Sequence, residues 1–170
     1  MGSVSAPNRA LVTAAAADLL RRLQDRHGAL MFHQSGGCCD GSSPMCYPDG
    51  DFLVGDRDEL LAVLDVGTPG VPVWISGPQF DAWKHTQLVI DVVPGRGGGF
   101  SLEAPEGMRF LSRGRAFTDE ENRALEASPI VTGADYERGV RPPENGTHIV
   151  AEAVDACPVP GGAPGPVPLR

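Results

Sequence analysis

The chain has 170 residues, a net charge of −8, 41% hydrophobic and 21% charged residues. That composition is an ordinary globular one, long enough to bury its own core. The acidic balance, with no Lys/Arg cluster, excludes nucleic acid or an anionic membrane as the main partner.

No apolar run reaches the roughly 20 residues that span a bilayer. The alanine-rich stretch from Ala10 to Leu20 contains Asp18 and runs straight into Arg21 and Arg22, so it reads as a helix and not as a signal-peptide core. The expected location is the cytoplasm, where thiols stay reduced.

In chain order, Asn8 is the expected N-cap of a helix over Arg9 to His27. Leu11, Val12, Ala15, Ala16, Leu19, Leu20 and Leu23 recur at helical spacing, and Gly28 stops it. Ala29 to Gln34 reads as a strand, Asp51 to Val54 as another after an Asp-Gly turn, and Asp56 to Leu64 as one or two helical turns, with Leu60, Leu61 and Leu64 on one side. Val71 to Ser76 is a strand whose Pro72 points to an edge or a strand start. Such an edge offers one route to a homo-oligomer.

Thr86 to Val93 alternates, with Leu88, Ile90 and Val92 on one face and Gln87, Val89, Asp91 and Val93 on the other. The turn at Pro94 to Gly98 leads into strands at Gly99 to Glu103 and Met108 to Ser112. Thr118 to Glu121 is a capping box opening a helix to about Ala127. Residues 1–138 are expected to form one globular domain. The Pro/Gly-rich segment 139–170 reads as a largely disordered tail, with a short strand at Thr147 to Val150. The expected class is α+β: a small antiparallel β-barrel or sandwich with an N-terminal helix.

The chemistry concentrates between His33 and Cys46, where Cys38, Cys39 and Cys46 share one glycine-rich stretch. Thiolates attack electrophiles, exchange electrons and bind metals, and all three uses need them close together. The spacing lacks the paired C-x-x-C knuckles of common zinc modules. Three readings stand side by side: a reactive or disulfide-forming thiol site, a metal site drawn from His33, Cys38, Cys46 and His85, and packing of a tight loop.

His85 precedes the alternating strand and shares its odd face with Gln87 and Asp91, so it is the candidate general base beside the thiols. Ser101 and Glu103 are placed on that same polar face, opposite Phe100 and Leu102. His33, Gln87, Asp91, Glu103 and Arg96 complete the candidate binding residues. The bland alternative for the odd face is a solvated strand surface. The glycines at 95–99 lie between strands and precede no helix, so dinucleotide and P-loop readings fail. The residues specify no cofactor.

The strings Gln34-Ser-Gly-Gly-Cys-Cys-Asp-Gly-Ser-Ser-Pro-Met-Cys46, Trp83-Lys-His-Thr-Gln87, Asp91-Val-Val-Pro-Gly-Arg-Gly-Gly-Gly-Phe-Ser-Leu-Glu103 and Gly107-Met-Arg-Phe110 resemble the bacterial domain-of-unknown-function 779 family, over about Ala10 to Glu126. The resemblance implies a cupin-like barrel and an accessory role in aldehyde metabolism, because such members are often encoded beside aldehyde or alcohol dehydrogenases. The paired histidines of a cupin metal centre are missing here, and the family supplies no established catalytic residue. The expectation is a cytoplasmic accessory protein with a thiol loop at the mouth of a small barrel, with a metal-dependent enzyme or metal-binding module and a non-catalytic small-ligand-binding barrel as alternatives.

Overall fold

The computed structural model describes residues 5–34, 43–96, 100–142, 147–152 and the backbone of 157–158. In chain order the elements are β1 (Ala10–Thr13), α1 (Ala14–His27), β2 (Leu30–Gln34), β3 (Met45–Pro48), β4 (Glu59–Leu64), β5 (Val71–Ile75), α2 (Gly77–Trp83), β6 (Thr86–Pro94), β7 (Met108–Ala116), α3 (Asp119–Glu126), β8 (Val131–Thr132), α4 (Gly133–Glu137), β9 (Ile149–Val150) and β10 (Cys157–Pro158). They form two mixed five-stranded sheets, ordered β10-β7-β6-β1-β9 and β3-β2-β5-β4-β8. The class is α+β, as expected. No closed barrel forms among the described residues, and both sheets contain parallel pairs (β1 with β6, β2 with β5) where an antiparallel architecture was expected.

The main core lies between the sheets and under α1. Val12, Leu88, Ile90 and Phe110 come from one sheet, Phe32, Leu64 and Val73 from the other, and Leu19, Leu20 and Leu23 from the helix. A smaller cluster, Met31, Leu60, Trp74 and Val131, covers the outer face of the second sheet.

The first helix starts five residues later than the periodicity suggests. Ala10 to Thr13 is extended, pairing with Leu88 to Ile90, and the N-cap is Thr13, whose Oγ accepts from the Ala16 N–H at 3.3 Å. Sheet pairing overrides local periodicity here, helped by β-branched Val12 and Thr13. Gly28 ends the helix as expected, at φ +80°, with its N–H on Gln24 O at 2.8 Å.

The segment read as helical turns at Asp56 to Leu64 is a strand. A bulge between Leu60 and Ala62 shifts the register, so Leu60 faces the outer cluster while Leu61, Ala62 and Leu64 face the core. That extra residue breaks the two-residue alternation and mimics helical spacing. Asp51 to Val54 is not a strand; β3 precedes the Asp-Gly turn, pairing Cys46 with Phe32. Val71–Ile75 is the central strand of its sheet and not an edge, which removes the suggested edge for pairing two copies; Pro72 sits near its start.

The hairpin β6–β7 runs from Thr86↔Ala116 to Pro94↔Met108. Phe100 to Glu103, expected as a strand, is a turn entering the 3₁₀ turn Ala104–Glu106. This turn packs against β3: Leu102 N–H donates to Cys46 O at 3.0 Å and Cys46 N–H to Ser101 Oγ at 2.9 Å. The capping box at Thr118 is present with both reciprocal hydrogen bonds. In the proline-rich segment, Ile149–Val150 and Cys157–Pro158 join the first sheet beside β1 and β7. Residues 159–170 lie outside the described residues.

Candidate functional site

Strand β2 carries the chain into the cysteine-rich loop at Gln34, and β3 receives it at Met45. Cys38 and Cys39 fall outside the described residues. The candidate site is therefore read from the strand ends that hold the loop. Because successive side chains of a strand point to opposite faces, Phe32 and Gln34 turn inward and His33 outward. Register places Cys46 opposite Phe32 and Met45 opposite His33. Cys46 and His33 thus lie on opposite faces of one sheet.

On the inner face a buried polar chain joins the two sheets. Ser101 Oγ, which receives the Cys46 N–H, hydrogen-bonds Glu103 Oε2, and Glu103 Oε1 accepts from Phe110 N–H at 3.4 Å. Beside it, Ser112 Oγ donates to Gln34 Oε1 at 2.9 Å. All of these side chains are buried; Cys46 is 0% exposed and Glu103 1%. Burial pushes the Glu103 carboxyl up, against the downward pull of Ser101 and the Phe110 N–H. Burial, reinforced by the Glu103 charge, pushes the Cys46 thiol far above its ordinary value. A thiol held in that state is a poor nucleophile, so Cys46 is a core side chain and not the reactive cysteine expected.

On the outer face, His33 is buried and its Nε2–H donates to Asp58 Oδ2 at 2.9 Å. Phe52 stacks on the imidazole with ring centroids 4.3 Å apart, and Tyr47 stacks on Phe52 at 4.9 Å. Asp58 is itself fixed by the Gly55 N–H at 2.9 Å. A carboxylate that holds one imidazole nitrogen fixes the tautomer and the orientation of the ring, which is how a histidine is positioned to move protons. Asp58 carried no signal in the sequence, since it follows Asp56-Arg57 in what read as a helical turn.

The other expected site residues go elsewhere. His85 is exposed, donates from Nδ1 to Asn122 Oδ1 at 3.0 Å, and sits beyond Thr86. Glu103 is held by Phe110, the partner of Val92, and Thr86 to Val92 spans roughly 20 Å of strand at about 3.3 Å per residue. His85 is therefore not the base beside the Cys46 end. Gln87 and Asp91 do share the outer face of β6, but arginines of β7 occupy them. Arg115 Nε donates to Gln87 Oε1 at 3.0 Å, and Arg113 Nε to Asp91 Oδ2 at 2.9 Å. Thr13 Oγ adds a bond to Asp91 Oδ1 at 2.9 Å. Burial raises the Asp91 carboxyl, yet these hydrogen bonds outweigh it and leave it below its usual range. The odd face is a cross-strand polar lattice, and Ser101 and Glu103 lie on the inner side instead. Arg96 is exposed past the end of β6.

The ligand set His33, Cys46 and His85 is not brought together, and among the described residues no three His, Cys, Asp or Glu side chains converge as metal ligands.

The chain matches the family described as Domain of unknown function (DUF779) over residues 19–116. No curated protein and no solved structure matches it. The matched stretch begins inside α1, ends with β7, and includes the cysteine loop, His33, Asp58, Cys46 and Glu103. With more than half of its residues in that match, the chain belongs to the DUF779 family.

Proposed function

We propose that the protein is a thiol-bearing accessory protein in which Cys38 or Cys39 is the nucleophile and the His33–Asp58 pair manages its proton. The observation that carries this reading is the part-buried 2.9 Å contact between His33 and Asp58, one residue before the chain enters the loop. The sequestration of Cys46 supports it by removing Cys46 as the nucleophile, and Cys38 and Cys39 are the next cysteines to His33 in sequence. His33 takes the thiol proton, and the thiolate adds to a carbonyl carbon, forming a C–S bond. The carbonyl electron pair moves to oxygen, which recovers the proton from the imidazolium. The product is a thiohemiacetal at the oxidation level of the starting aldehyde, so no oxidant is consumed. The aldehyde as electrophile, the cytoplasmic setting and a partner aldehyde or alcohol dehydrogenase extend this reading from the family resemblance of the sequence.

The test is alkylation by iodoacetamide followed by peptide mass analysis across pH. Cys38 or Cys39 should react fast at neutral pH, propionaldehyde should protect it, and Asp58→Asn or His33→Gln should slow alkylation and remove the protection. Loop cysteines that alkylate at the rate of a free peptide thiol, indifferent to both variants and to aldehyde, would overturn the proposal.

A further inference from the structure

Away from the cysteine loop, a cavity of about 700 Å³ opens along β4, beyond the two residues that β8 covers. That volume is within the range of small-ligand sites. Its apolar wall includes Leu61, Leu125 and Ile130, and Arg9 and Arg141 also line it. Apolar wall and cationic groups in one cavity suit a ligand with an apolar body and an anionic end.

Neither of these two arginines is paired with a carboxylate among the described residues, although the chain pairs others. Arg21, Arg26, Arg113, Arg115 and Arg138 each sit against a carboxylate. Arg9 is half-buried and has no carboxylate within 4.0 Å among the described residues; its Nη2 donates to Leu125 O at 3.1 Å and its guanidinium lies 5.4 Å from the Phe80 ring centroid. Arg141 lies 3.6 Å from the Tyr136 centroid, pinned by bonds to the Tyr136 and Val140 carbonyls at 2.9 Å each. Among the described residues both keep N–H donors without a partner, Arg9 half-buried and Arg141 exposed, in the fork geometry that recognises carboxylates.

The acidic groups nearby do not cancel them by contact. Asp65, also on the wall, accepts the His148 N–H at 2.9 Å and its ring Nδ1–H at 3.1 Å. Glu59 acts on Arg9 only through space, and its Oε2 is buried with no hydrogen-bond partner. Among the described residues the half-buried Arg9 guanidinium touches no carboxylate and feels Glu59 only through space, so a bound anion in contact with it would complete its pairing.

We propose that this cavity binds a small amphipathic carboxylate, with Arg9 and Arg141 holding its headgroup and Leu61, Leu125 and Ile130 receiving its chain. Its lining includes neither Gln34 nor Met45, the strand ends that carry the cysteine loop, and it does not rest on the thiol chemistry.

The experiment is calorimetric titration of the full chain with decanoate and, separately, with decanol. Decanoate should bind one-to-one, and decanol at least tenfold more weakly. Arg9→Gln and Arg141→Gln should each weaken decanoate at least tenfold while leaving decanol unchanged. Ile130→Trp, which fills the cavity without altering charge, should abolish binding with native circular dichroism retained. Cys38→Ser/Cys39→Ser should bind decanoate as the parent does, which separates this site from the loop. Absence of decanoate binding, equal affinity for the alcohol, or binding unaffected by Arg9→Gln, Arg141→Gln or Ile130→Trp would overturn the assignment.

Discussion

Ser112 of β7 and Gln34 of β2 share one buried hydrogen bond of 2.9 Å, and it ties the two sheets together at the residue where the cysteine loop begins. Ser112→Ala removes the donor and withdraws one partner from a buried amide oxygen. The expected loss is about 1–2 kcal/mol. Urea unfolding should show a lower midpoint at an unchanged slope.

Glu103 predicts a pH signature on the same inner face. Its carboxyl is held above the ordinary value, so the folded chain binds that proton more tightly than the unfolded chain. The resulting stabilisation is fully present below the unfolded value of about 4.3 and is lost as pH rises through the raised folded value. Glu103→Gln should therefore match the parent near pH 4 and gain on it toward pH 7. Glu103→Ala strips Ser101 and the Phe110 N–H of their acceptor and should cost about 1–3 kcal/mol at either pH. Thermal melts of the three proteins across pH check both statements.

Glu121 predicts the opposite slope. The Arg115 fork, with bonds at 3.1 and 2.8 Å, and the Thr118 N–H bring its carboxyl down to about 2, against the upward push of burial. This contribution is present above the unfolded value of about 4.3 and disappears as pH falls toward 2. Glu121→Gln should cost about 1 kcal/mol near pH 7, the scale of a well-formed but partly exposed pair. The gap from the parent should close in acid.

A glycine outside the candidate site predicts a remote effect on it. A Cβ on Gly133 would lie 2.1 Å from Gly55 O, in the turn that fixes Asp58, and the Gly133 N–H donates to Asp58 O at 2.8 Å. Backbone cannot yield that distance without displacement, so Gly133→Ala must shift the Asp58 turn. The expected cost is about 1–3 kcal/mol. The same variant should move the imidazole resonances of His33 in nuclear magnetic resonance spectra, although residue 133 reaches that pair only through the backbone of Asp58 and Gly55.

What could be read from residue order was mostly local. The β6 alternation, the Gly28 stop and the Thr118 capping box each rest on one short-range rule, and each is present. The errors came from pairing between distant segments. Ala10 to Thr13 looks helical until Leu88 to Ile90 lies beside it, and the Leu60–Ala62 bulge disguises a strand as a helical turn. The candidate site was partly legible: cysteine density marked the loop, and His33 was named beside it. Asp58 could not be found because its partner is 25 residues away and no spacing rule links them. The separation of His33 from Cys46 follows from strand parity, which needed the correct position of β3.

The order of elements along the chain has a consequence for synthesis. The loop-bearing strands β2 and β3 are adjacent in sequence and find β5 soon after, whereas β1 waits for β6 and, much later, β9. Nascent chains ending before residue 86 therefore carry an unmatched first strand beside an already assembled loop scaffold. Cys46 loses its shield in such chains, because the turn at Ser101 and Glu103 has not yet been translated. The cysteine that is inert in the finished protein is thus open to oxidation while it is being made.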